Sequence, residues 1–106
     1  MNEYLLIESR DPFESNDVAY YYDLARGLRE AGNRVTVMLV QNGVLAARSA
    51  AQAPALRALI AAGVKILADD FALAERGIKR LADGVQAASI EVLVDHLEAG
   101  HKTLWH

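Results

Sequence analysis

The chain contains no cysteine. That excludes disulfides, thiolate metal sites and any reaction that needs a thiol nucleophile or a persulfide. It identifies no compartment. Positive charge is not in excess. The formal net charge is −3 and no basic patch stands out, so nucleic acid is not an expected partner. No apolar run approaches the roughly 20 residues that span a bilayer, so no membrane partner is expected. The first residues enter a strand-like segment without a basic n-region or a cleavage site, which reads as a cytoplasmic protein. No glycine-rich cradle is present, which argues against a nucleotide. No serine sits in a nucleophile-elbow context, which argues against a catalytic triad. There is no repeat, linker or low-complexity tract.

Apolar residues are what the chain has in abundance, at 53% of 106 residues. That length makes one domain, 1–106. A small domain hides a smaller share of its surface than a large one. The excess therefore predicts a further buried surface, most simply a subunit interface in a homo-oligomer.

Strand and helix signals alternate. Tyr4 to Ile7 is a continuous apolar strand, followed by a polar loop from Glu8 to Asn16. Asn16 or Asp17 caps a helix with Val18, Tyr21, Ala25 and Leu28 at helical spacing, widened by Leu24 and Ala31. Of three consecutive tyrosines, Tyr21 is expected in the core, and Tyr20 and Tyr22 in packing or an interface. Val35 to Val40 is a second strand and Gln41-Asn42-Gly43 its turn. The alanine-rich Val44 to Ala53 reads as a helix, and Leu56, Leu59 and Ile60 mark the next one after Pro54. Gly63 stops it, Val64 to Ala68 is a third strand, and Phe71 to Arg76 a short helix closed by Gly77. Gly84 to Ala88 is a weak fourth strand. Ser89 caps a last helix whose Ile90, Leu93, Val94 and Leu97 match the i, i+3, i+4, i+7 template, and Lys102 to Trp105 is a fifth strand. Alternation of this kind means βαβ units: a three-layer α/β/α sandwich around a mostly parallel five-stranded sheet.

Every loop that follows a strand then lies on one edge, where open α/β sheets bind ligands. That edge collects Glu8, Arg10, Asn16, Gln41, Asn42, Asp69 and Asp70, the candidate ligand- or partner-binding residues. Glu8, Asp69 and Asp70 are oxygen ligands of the type a hard cation takes. Acidic residues that begin helices are explained as well by the helix dipole, and no dedicated metal site or cofactor is expected. Arg10, Ser15 and Asn16 precede a helix N-terminus, where an anion could bind, though an ordinary capped loop accounts for them. His96, His101 and His106 show no recognised ligand spacing. Trp105 is either a core plug or an interface anchor.

The stretch G-V-K-I-L-A-D-D-F-A-L-A-E-R-G-I at 63–78, with R-L-A-D-G-V at 80–85, resembles the DsrE/DsrF-like family, which includes TusD-type sulfur-relay subunits. Gln41-Asn42-Gly43-Val44 and the closing strand ending in Trp105 extend the likeness over nearly the whole chain. The resemblance implies the same three-layer fold, assembly into trimers or hexamers, and a sulfur-carrier protein as partner. Sulfur-relay members place a cysteine just after the third strand, and Asp69 stands at that position here. The resemblance therefore implies a non-catalytic subunit that assembles with itself or with a cysteine-bearing relative, with no sulfurtransferase activity of its own. A small-ligand or anion-binding homo-oligomer using the strand-end cleft is the alternative.

Overall fold

The computed structural model describes residues 2–51 and 53–106. Five strands form one sheet: β1 (Glu3–Glu8), β2 (Arg34–Leu39), β3 (Lys65–Asp69), β4 (Val85–Ala88) and β5 (Lys102–Trp105). Their spatial order is β4-β3-β2-β1-β5 and every neighbouring pair is parallel. Four α-helices accompany them: α1 (Asp17–Glu30), α2 (Pro54–Ala61), α3 (Asp70–Glu75) and α4 (Glu91–Glu98).

Crossover handedness divides the helices between the faces. The chain steps from β1 to β4 in one direction, so right-handed crossovers place α1, α2 and α3 on the same face. There Val18, Tyr22, Ala25, Leu56, Leu59, Ala72 and Leu73 join Leu6, Val35, Val37, Leu39, Ile66 and Ala68 in the main core. The return from β4 to β5 runs the other way and puts α4 on the opposite face. That second core is small: Leu5, Ile7, Met38 and Val40, with Ala88, Val92 and Leu93 packed on it.

Three local expectations give way. The expected helix from Val44 to Ala53 does not form over residues 44–51, and Gln52 lies outside the described residues. Two 3-10 turns, Gln41–Ala47 and Ser49–Ala51, take most of this stretch, and the first absorbs the expected turn residues. Tertiary pairing overrides alanine's helix propensity, because Ala82 N–H donates to the Ala47 carbonyl and Ser49 N–H to that of Arg80. On α1, Tyr22 rather than Tyr21 is buried, with Val18 and Ala25. Three tyrosines in a row fit two helical templates one residue apart, and the neighbouring sheet chooses between them. On α4, Ile90, Val94 and Leu97 are exposed, at 45, 48 and 55%, while Val92 and Leu93 face the sheet.

Candidate functional site

The chain runs from β1 to β4 in one direction and then returns to lay its last strand, β5, on the other side of β1, so the strand order reverses there. The crevice at the carboxyl ends of such a pair is the favoured ligand position in open α/β sheets. Here β1 ends in Glu8, and His106 follows β5. Glu8 is fully buried, and His106 Nδ1 lies 2.8 and 2.9 Å from its two carboxylate oxygens. An ionised carboxylate only accepts, so Nδ1 carries a proton and donates it, which leaves Nε2 as the ring nitrogen free to meet another partner.

Backbone and ring contacts fix His106 and leave one side of its imidazole open. His106 N–H donates to the Ile7 carbonyl at 2.9 Å, continuing the β1–β5 ladder. The Ser9 hydroxyl donates to the His106 carbonyl at 2.8 Å. The Tyr21 ring stacks on the imidazole with centroids 5.0 Å apart, and its hydroxyl donates to the Leu104 carbonyl. Tyr21 is thus half-buried against the main core and forms a wall of the site. Burial, and then the Glu8 charge, hold its phenol neutral well above the usual tyrosine range. Asp17, Tyr20, Tyr21, Leu24 and His106 line an open groove of about 320 Å³. Beneath the site Gly43 approaches so closely that a Cβ there would collide with the Glu8 carbonyl. An imidazole fixed by a buried carboxylate presents its outer nitrogen in one direction to a molecule in the groove.

The other edge residues serve varied ends. Arg10 N–H donates to the Glu8 carboxylate at 3.3 Å, while its guanidinium is solvated beside Asp17. Asn16 makes no cap bond with its side chain and lines a separate apolar pocket of about 200 Å³ with Pro12, Phe13, Tyr22 and Pro54. Gln41 is exposed with φ +48. Asn42 Oδ1 accepts from Arg76 Nε and Nη2 at 3.2 and 3.0 Å. Asp70 begins α3. Asp69 precedes it without capping it, is 9% exposed, and its Oδ1 has no partner among the described residues. Glu8 and Asp69 end β1 and β3, with β2 between them, so roughly 10 Å of sheet separates them. The three carboxylates of the edge are therefore not one cluster.

Sequence reasoning missed His106, which stood only as a residue flanking the last strand. Its role depends on β5 lying beside β1, 98 residues away from Glu8 in the chain.

The fold and this edge define an open parallel α/β protein with a strand-end cleft and no thiol. The chain belongs to the DsrE/DsrF-like family, whose profile matches residues 2–105. The ychN protein from E. coli is similar in structure, with a TM-score of 0.90, 21% identity and 100% of both chains covered. A protein of unknown function from Methanobacterium thermoautotrophicum matches with a TM-score of 0.83 and 20% identity over 99% of this chain and 98% of its own. A conserved protein of unknown function from Bacteroides thetaiotaomicron matches at 0.76 and 18%, over 99% and 95%. No curated protein matches the chain in sequence. At these identities the solved structures establish the fold, which is the three-layer one expected.

Proposed function

We propose that the protein is a DsrE/DsrF-like subunit that carries no sulfur itself and works by assembly in sulfur relay. Its partners are copies of itself, in a trimer or hexamer, and a cysteine-bearing relative or sulfur-carrier protein. One observation carries this reading: an apolar band wraps the β5 edge. Parallel register puts Trp105 level with Ile7, on the α4 face, and Leu104 level with Leu6, on the α1 face. Trp105 is 61% exposed, and Ile90, Val94 and Leu97 extend the α4 side. Tyr20 and Leu24 are exposed on α1, on the Leu104 side. β5 is also an edge strand with one side of its backbone unpaired, which a soluble chain usually protects. Sedimentation velocity at micromolar concentration tests this. The wild type should sediment as an oligomer, and the Leu97→Asp, Trp105→Asp double variant as a folded monomer. A wild-type monomer would overturn the reading.

The oriented imidazole supports a second reading, a small ligand or anion held in the groove beside His106. Native mass spectrometry of freshly purified protein should then show a retained small molecule that Glu8→Gln loses. A bare wild-type mass would count against it.

A further inference from the structure

At the opposite edge of the sheet lies a second group of histidines, and local backbone chemistry builds it. α4 closes with two reversed bonds: His101 N–H donates to the His96 carbonyl at 3.0 Å and Gly100 N–H to that of Leu97 at 3.1 Å. Gly100 makes the turn at φ +73. This is the Schellman closure, in which the two residues joined by the longer bond normally bring apolar side chains together. In this chain both are histidines. Their Nδ1 atoms lie 2.9 Å apart, and Glu3 Oε2 lies 3.3 Å from His101 Nδ1. Among the described residues this is the one set of three histidine or carboxylate side chains that brings ligand atoms within 4.8 Å of one another.

We propose that Glu3, His96 and His101 form a binding site for a borderline divalent transition metal of the Zn²⁺ class. Two imidazoles and one carboxylate suit such ions better than Mg²⁺ or Ca²⁺, which prefer oxygen. A tetrahedral metal holding each ligand at about 2.0–2.2 Å sets its donors about 3.3–3.6 Å apart; here one pair stands at 2.9 Å, a second at 3.3 Å, and all three atoms lie within 4.8 Å of one another. The carboxylate is oriented from behind, because Arg34 Nη1 donates to Glu3 Oε1 at 3.2 Å and leaves Oε2 for the ion. Outer bonds of this sort fix a ligand's direction. The trio lines a cavity of about 660 Å³, into which the ion's remaining positions open. Arg29, Arg34 and Lys65 on the cavity wall oppose a dication, and Glu3 and Asp95 offset them. They also favour an anion completing the coordination.

In the metal-free protein one Nδ1 donates to the other. Binding needs both nitrogens bare, so that proton leaves for solvent and the ring is reprotonated at Nε2.

Zn²⁺ titrated calorimetrically into the chelator-stripped full chain should bind at one ion per chain, and Co²⁺ should develop visible ligand-field bands. His96→Ala and His101→Ala should each weaken Zn²⁺ binding by about 10-fold or more, the scale on which lost metal-site interactions are felt. His106→Ala should leave it unchanged. Imidazole NMR of the wild type gives a readout free of any folding defect: Zn²⁺ should shift the His96 and His101 signals and not that of His106. No saturable uptake, or a shift confined to His106, would overturn the site.

Discussion

Glu8 and Asp69 are both buried strand-end carboxylates with opposite circumstances. Glu8 accepts from an imidazole and a backbone N–H, whereas Asp69 Oδ1 has no partner among the described residues. Replacing Glu8 by Ala strands the inner nitrogen of His106. It should cost about 1–3 kcal/mol in denaturant unfolding, the usual penalty for orphaning a buried polar group. Asp69→Ala should be neutral or stabilising in the same measurement, because it removes a buried polar atom that no described residue satisfies. A loss of about 1 kcal/mol would instead mean that the carboxylate caps α3 in solution. Gly43→Ala should destabilise by about 1–3 kcal/mol, since the added methyl has only rigid backbone to push against. That glycine was legible in the sequence only as a turn residue. Its close approach to β1 depends on where β2 delivers the chain.

Helix α4 shows how an element can be correctly recognised and wrongly oriented. Its apolar period is genuine, and Ser89 does accept from Glu91 N–H at 3.2 Å as a cap. Two apolar arcs share the helix, however. The arc of Val92 and Leu93 meets the sheet, and the longer stripe of Ile90, Val94 and Leu97 is left outside. Periodicity states that a helix has an apolar side. It does not state whether that side meets this chain or another. The C-terminal turn of α4 carries a pH dependence. Folding lowers the His96 pKa, chiefly through burial and then through His101. The unfolded chain therefore binds more protons between the ordinary imidazole value and the lowered one, and stability rises with pH across that window. Thermal melts should fall as pH drops below about 6.5, and His96→Gln should flatten the slope. An unchanged slope would assign the effect elsewhere.

At the scale of the molecule, two features bear on function. No helix among the described residues is long and apolar enough to cross a membrane. The sheet is covered unequally, with three helices on one face and only the eight residues of α4 on the other. That imbalance leaves apolar surface for a 106-residue chain to share. A persulfide donor should transfer no sulfane sulfur to the protein, because no thiol can receive it. Intact-mass measurement after incubation checks this, and a stable gain of one sulfur atom would refute it.

The sequence by itself determined the alternation of strands and helices, hence a parallel sheet with its loops gathered on one edge, and it placed Glu8 and Asp69 at strand ends. These follow from local physics: a period of two or 3.6, a glycine that tolerates positive φ, a run of apolar residues. It also determined, through the missing cysteine, that this chain offers no thiol on which a persulfide could form. Tertiary structure decided the rest. The order β4-β3-β2-β1-β5 brought His106 onto Glu8 and kept Asp69 two strands away. The β1–β5 pairing set Glu3 beside His96 and His101, which the local turn at Gly100 joins. The strand meetings leave no local trace, because pairing across 98 residues is chosen by crossover handedness and by which surfaces the whole chain can bury.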